Sequence, residues 1–483
     1  MRRALERIRP ILTGGGRPGV ATVAATLAAT VVGFVCWLSP VSSARAAEVT
    51  RVASGFDGPG PFEVNVSLSW SHDQKSATIK RESESASSPF GAQLTKDLVY
   101  HQSRDVMNAR VEMGLWSDVA VHLDLPYVIR DDRDLGFDQG AGSGCVFPGG
   151  VGQPTCVNEQ NSTLLRDGIL PGAGQASYGV DATNGGQTFA RPSSTVFRGP
   201  RRSGLESLGV GASWALMNQR RDPWKPTWVL GLDAKLGLGA TMRYDAARPD
   251  GNTAVGLGYH QIVASTFASK AFAELEPYVG LYFVQPVRGS SSPFSAQPMG
   301  GQPHAAPQSH AGVQMGFEFV ALDRPSMNQR VSLEVRGRGE HWLQGRSHSE
   351  LWEALSGSSR CSTDATACRA GLDQDVSGDG RADPFPGITE TQAYSTAGGD
   401  IGLDLQFSKY ARFRGLFGVT YELPHFITYG SAGVDRNADG RVDSTNPSEA
   451  NPVYRELIDL PGRRFKVEGT QIWNLLIQLV SVF

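Results

Sequence analysis

The feature that most restricts the fold is a two-residue period that returns in twelve segments between Phe62 and the last residue. Val64, Val66, Leu68 and Trp70 alternate with Glu63, Asn65, Ser67 and Ser69. Met107, Ala109, Val111, Met113 and Leu115 oppose Asn108, Arg110 and Glu112, and Val119, Val121, Leu123, Leu125 and Tyr127 oppose His122 and Asp124. The same alternation runs through 208–216, 228–238, 313–319, 331–340, 401–407, 413–421 and 471–483, and less cleanly through 255–267 and 277–287. Side chains on a strand point to opposite faces in turn, so each segment reads as a strand with one apolar and one polar face.

Connection lengths carry the argument further. Short turns fall near 116–117, 218–226, 269–274, 323–329 and 409–411, and long loops at 81–97, 131–204, 243–253, 288–308, 343–395 and 424–467. They alternate strictly. With an even strand number, every long loop then lies at the end opposite both termini, the layout of an all-β, antiparallel, up-and-down transmembrane β-barrel of twelve strands, with short periplasmic turns and long extracellular loops. Lipid offers no hydrogen bonds to a backbone, so a sheet in a membrane must close on itself. A soluble sandwich or propeller also alternates strands and turns, but nothing in it gathers all the long loops at one end. In 483 residues with mean hydropathy −0.24, no uncharged apolar run beyond the N-terminus approaches the roughly 20 residues of a spanning helix. Trp70, Trp116, Trp214, Trp228, Tyr259, Trp342 and Tyr421 are candidates for interfacial aromatic girdles. If the apolar faces meet lipid, Arg110, Glu112, Asp233, Lys235, Glu334, Arg336, Arg338 and Glu340 point into a lumen charged with both signs.

The apolar run Val20–Leu38 follows Arg2, Arg3, Arg7, Arg9 and Arg17 and precedes Ala44-Arg45-Ala46. It reads as a secretory signal over 1–46, with a retained signal anchor or a lipoprotein at Cys36 as alternatives. A short periplasmic segment, 47–61, is then expected before a barrel over 62–483. Removing 1–46 shifts the formal charge from −3 to −8, and no basic patch argues for nucleic acid. Four cysteines remain as two near neighbours, Cys145 with Cys156 and Cys361 with Cys368. In an exported chain that pattern favours two local disulfides over zinc, whose common sites use tighter spacings.

Two resemblances add to this reading. The closing stretch QIWNLLIQLVSVF places Trp473, Leu475, Ile477, Leu479 and Phe483 on one parity. It resembles the C-terminal signal of bacterial outer-membrane proteins, which implies a partner in the barrel-assembly machinery and a place in the outer membrane of a Gram-negative bacterium. The segment Asp435-Arg-Asn437-Ala-Asp439-Gly440-Arg441-Val-Asp443, and its variant Asp375-Val-Ser377-Gly-Asp379-Gly380-Arg-Ala-Asp383, look like the calcium loops of the EF-hand, dockerin and thrombospondin type 3 families. That likeness implies Asp435, Asn437, Asp439, Asp443 and the Arg441 carbonyl as ligands of one ion, and Asp375, Ser377, Asp379 and Asp383 of another. Calcium is a hard cation that takes six to eight oxygens. Both loops lack the glutamate that an EF-hand carries at its twelfth position: Asn446 and Pro386 stand there.

The expected function is an outer-membrane channel passing small solutes, with calcium and disulfides stiffening the external loops. The Gly-rich 131–204 loop is long enough to fold inward as a constriction. A surface-binding or adhesion barrel is the alternative. An outer-membrane hydrolase ranks lower, since no Gly-x-Ser-x-Gly elbow is present and the nine histidines are scattered.

Overall fold

Strict alternation leaves each segment one way to satisfy both its faces and its backbone, which is to pair with neighbours on both edges. The computed structural model describes residues 47–54, 63–84, 92–137, 162–167, 169, 195–243, 252–289, 292–295, 301–357, 372–375, 379–380, 383 and 385–483. Twelve strands form the wall: β1 (Val64–Glu84), β2 (Ala92–Trp116), β3 (Val119–Gly136), β4 (Leu208–Met217), β5 (Thr227–Leu236), β6 (Tyr259–Ser269), β7 (Leu275–Arg288), β8 (His310–Arg324), β9 (Gln329–Trp342), β10 (Tyr394–Gln406), β11 (Ala411–Glu422) and β12 (Phe465–Val482). Each pairs antiparallel with the next. The barrel closes where β1 meets β12, from Asn65 opposite Val482 up to Arg81 opposite Phe465. Phe483 takes part in that closure, donating its N–H to Val64 O at 2.9 Å and accepting the Val64 N–H at 3.1 Å.

The outer face is apolar, as the alternation requires. Leu68, Val111, Leu123, Leu232, Phe317, Leu333, Val335, Ile401, Phe417, Ile477 and Leu479 all lie uncovered by protein, a band that only hydrocarbon can accommodate. Trp116, Trp214, Trp228 and Tyr421 are likewise uncovered. Two of the girdle candidates are instead internal. Trp342 is in phase with Glu340 and stacks on His310 at 3.8 Å, and Tyr259 packs edge-on to Phe294 at 5.4 Å. Tight periplasmic turns use left-handed residues at Asp118, Ala273 and Asn328, consistent with the short connections seen in the sequence.

The wall is uneven. β1, β2, β3 and β12 have 21, 25, 18 and 18 residues, whereas β4 and β5 have 10 each. About 9–11 residues cross a membrane, so the long strands continue past it on the extracellular side. Residues 81–84 and 92–97, expected in a loop, are therefore strand. Their alternation is masked because no lipid meets them: Ile79 and Leu98 turn inward to a core in the barrel mouth with Leu135, Leu351, Leu355, Phe385, Ile427 and Ile458. Part of the 131–204 loop returns to the wall, with Thr195–Arg198 and Arg202–Leu205 pairing on β3 above its short contact with β4.

Candidate functional site: the barrel interior

The lumen begins at its periplasmic end with the N-terminal stretch. Residues 47–54, expected beneath the barrel, enter it. Glu48–Thr50 forms a single 3-10 turn, and Ala47, Thr50 and Ala53 are buried. The segment is tied to widely separated strands. The Glu48 N–H donates to Glu318 of β8 at 2.7 Å, and its carboxylate accepts two contacts from Arg412 of β11 at 2.7 and 2.8 Å. The Thr50 and Ser269 hydroxyls meet at 2.5 Å, and the Ala53 N–H donates to Glu112 of β2 at 2.9 Å. Burial pushes the Glu48 carboxyl up, but the charges of Arg412, Arg51 and Arg414 outweigh it and hold the pKa at about 2. A polar cavity of about 300 Å³ lies alongside, lined by Arg51, Arg110, Arg414, Asn65 and Gln478 among others.

Above it runs a belt of paired charges. Arg336 donates to Asp400 at 2.9 Å, and Arg338 stands 3.3 Å from the other oxygen of the same carboxylate. Arg414 donates to Glu334 at 2.5 Å, and the Tyr278 hydroxyl donates to Glu334 as well. Asp233 meets His122 at 2.5 Å, and Arg110 lies 3.4 Å from Asp124 and 3.6 Å from Glu112. Glu340 accepts from the Tyr282 hydroxyl at 2.5 Å and from Trp342 Nε1 at 3.0 Å. Lys235, on the inward parity of β5, has no ion pair among the described residues. Glycines make room for this belt: a Cβ at Gly418 would collide with the Asp400 carboxylate, and one at Gly211 with Asp233 and His122. Most partners were not singled out in the sequence. Asp400, Asp404, Arg412 and Arg414 share the inward parity of their strands, so the alternation was the signal that could have found them.

A second cavity, of about 340 Å³, lies higher, among Asp73, Lys75, Arg104, Arg338, Glu340 and the rings of Trp342 and Tyr394. A cap closes over it. Glu350, from the 343–395 loop, reaches Lys75 at 2.8 Å, and Lys75 also holds Glu422 at 2.9 Å. The short helix α1 (Trp352–Gly357) is pinned by Glu353 against the buried Arg202 at 3.1 Å, whose guanidinium also lies over the Trp352 ring. Arg81 fixes a second piece through Asp167 at 2.5 Å and the Leu457 carbonyl. Among the described residues, pieces of the 343–395 loop and Ser162–Asp167 of the 131–204 loop narrow the mouth together.

The loop residues stand apart from this interior. Asp435 accepts the N–H groups of Asp439 and Gly440 at 3.3 and 2.9 Å, and Asp375 those of Asp379 and Gly380 at 3.1 and 2.8 Å. Both glycines have left-handed φ, +84° and +81°. Asn437 accepts the Asp439 N–H at 2.9 Å, Asp439 that of Arg441 at 2.9 Å, and Asp443 turns to Thr445 at 2.7 Å. Asp383 pairs by its backbone with Gln374. Among the described residues, no three His, Cys, Asp or Glu side chains are gathered closely enough to hold a metal. Ser377, Cys145, Cys156, Cys361, Cys368 and residues 1–46 lie outside the described residues.

No protein-family model and no characterised protein sequence matches the chain. Among solved structures it is similar to the COG4313 outer membrane channel from Pseudomonas putida F1, at 8% identity over 91% of this chain and 100% of that one, with a TM-score of 0.37. A Pseudomonas aeruginosa FadL homologue follows at 7% identity, 87% and 90% coverage and a TM-score of 0.27. The outer membrane protease OmpT from Escherichia coli stands at 8%, 87% and 97%, and 0.23. Such likenesses concern the fold alone, and a channel and a protease sit side by side among them. The chain is a transmembrane β-barrel of the outer-membrane type. That statement rests on its own closed wall, apolar band and one-sided loops.

Proposed function

We propose that the barrel is a gated channel for small polar solutes. The observation that carries this is the charged, incompletely filled lumen, with cavities of about 300 and 340 Å³ between the N-terminal segment and the cap. A barrel serving only as an anchor has no use for such spaces, and a route for hydrophobic compounds would not be lined by arginine, aspartate and glutamate. Passage requires the cap to move, because a buried apolar core occupies the mouth above the upper cavity. Purified protein in planar bilayers is expected to show discrete conductance steps, more frequent when residues 349–357 are deleted. Bilayers that stay silent with both proteins would leave the anchor reading in its place.

The loops support a second element of the reading: calcium held by Asp435, Asn437, Asp439, Asp443 and the Arg441 carbonyl, and by Asp375, Ser377, Asp379 and Asp383. The shared turn, in which the first aspartate accepts the fifth and sixth N–H groups, fits a loop whose side-chain oxygens an ion would draw together. Titration calorimetry with calcium against magnesium tests it, and the absence of calcium heat in the protein with Asp435→Ala and Asp375→Ala would be the expected control. The terminal strand fits delivery to the barrel-assembly machinery. Disulfides Cys145–Cys156 and Cys361–Cys368 are proposed to stiffen the loops, and a mass shift on reduction and alkylation checks them.

A further inference from the structure

The upper cavity holds two carboxylates that the cations of its own walls do not contact. Every cation on its lining is engaged. Lys75 lies between Glu350 and Glu422 at 2.8 and 2.9 Å. Arg104 is directly opposite Asp73 in the strand register, yet turns its guanidinium to Glu206 at 2.7 Å. Arg338 serves Asp400, Thr420 and Asn474, the last two at 2.7 and 2.9 Å. On the acidic side, Asp73 has no hydrogen bond or ion pair among the described residues, and Glu340 is met only by the neutral donors Tyr282 and Trp342. Lys235, the unpaired cation of β5, does not line this cavity. Two carboxylates on the lining are therefore left without a cation in direct contact, although Arg104 and Arg338 stand on the same wall. A half-buried carboxylate in that position is relieved either by taking up a proton or by a cation that joins it.

We propose that the upper cavity is a binding site for small organic cations, alkyl amines or guanidines, whose charged ends meet Asp73 and Glu340. This deepens the channel reading by naming the solute class. The remaining wall suits the methylene part of such a solute. Trp342 and Tyr394 stack at 5.9 Å and 3° between planes, with His310 on the far side of Trp342 and His425 on the far side of Tyr394. The ring faces are occupied by one another, so the row presents edges. That arrangement flanks an alkyl chain, whereas a sugar reader would offer an open ring face. A cavity of about 340 Å³ sits at the small end of ligand sites and takes an amine of a few carbons.

The test uses the intact protein in detergent and three four-carbon probes of equal length and different charge: 1,4-diaminobutane, 1,4-butanediol and succinate. Titration calorimetry is expected to show the diamine binding at least about tenfold tighter than the diol, with no heat from succinate and an affinity that falls as salt rises. Asp73→Asn and Glu340→Gln should each weaken the diamine about tenfold or more. Folding of the variants is checked by heat-modifiable gel migration, and the contrast among probes on the unaltered protein needs no variant. Equal affinity for diamine and diol overturns the proposal, as does tighter binding of succinate. Bilayer recordings separate the two readings. Diamine binding with silent bilayers supports the site and refutes the channel. Conductance steps that the diamine does not block, with no preference in calorimetry, support the channel and refute the site.

Discussion

Replacing Glu48 with alanine should release the N-terminal segment from the periplasmic mouth. Its carboxylate accepts two hydrogen bonds from Arg412, whose side chain is 7% exposed against 26% for Glu48. Removing one partner of a buried pair costs roughly 3–5 kcal/mol, and the partial exposure of Glu48 places this case near the lower figure. The pKa gives a similar value: a fall from the ordinary 4.5 to about 2 corresponds to ~3 kcal/mol favouring the ionised, latched state. At about 1.4 kcal/mol per factor of ten, the ratio of latched to released segment should drop on the order of 100-fold. Hydrogen–deuterium exchange with mass spectrometry on a peptide spanning 47–54 reads this directly, because the Glu48 and Ala53 N–H groups are held by Glu318 and Glu112. Exchange in the Glu48→Ala protein within about threefold of the unaltered protein would refute the latch. The pH dependence follows with a definite sign. Glu48 has a depressed pKa, so its contribution is complete above the ordinary 4.5 and is lost as pH falls from there towards about 2. Between pH 5 and 8, exchange corrected for its intrinsic rate should show no change due to Glu48.

Other expectations follow from single contacts. Arg202→Ala strips the buried Glu353 of its cation, at a cost of roughly 3–5 kcal/mol to the cap, and should speed proteolysis within 343–395 while the barrel stays resistant. Gly418→Val puts a branched side chain where a Cβ already collides with Asp400. It should lower stability by about 1–3 kcal/mol, read as an earlier urea midpoint, and an unchanged midpoint would contradict the packing described. Deleting Val482 and Phe483 removes the backbone pair that joins Phe483 to Val64, and should reduce the heat-modifiable, folded fraction several-fold.

Period and parity made the wall legible. Val66 and Leu68 face out and Asn65 and Ser67 face in because adjacent side chains on a strand must diverge, and no tertiary information is needed to see it. The same parity places Trp342 with Glu340, so its inward position was readable, although its ring suggested a girdle. Residues 81–84 and 92–97 were not readable as strand. They rise above the membrane, where Arg81 and Asp97 are buried beside Ile79 and Leu98 and the two faces no longer differ in polarity. The 47–54 segment has no period at all, since it is held by side chains of strands distant in sequence.

Local chemistry therefore determined which residues line the lumen: alternation, glycine and the closing aromatic strand are properties of neighbours along the chain. Only the tertiary structure decided which charges neutralise one another. Arg336 meets Asp400 and Arg412 meets Glu48 across separations of 64 and 364 residues, set by strand register and barrel closure. Coulomb attraction depends on distance in space, so an unpaired Asp73 becomes visible only when every competing cation has been placed.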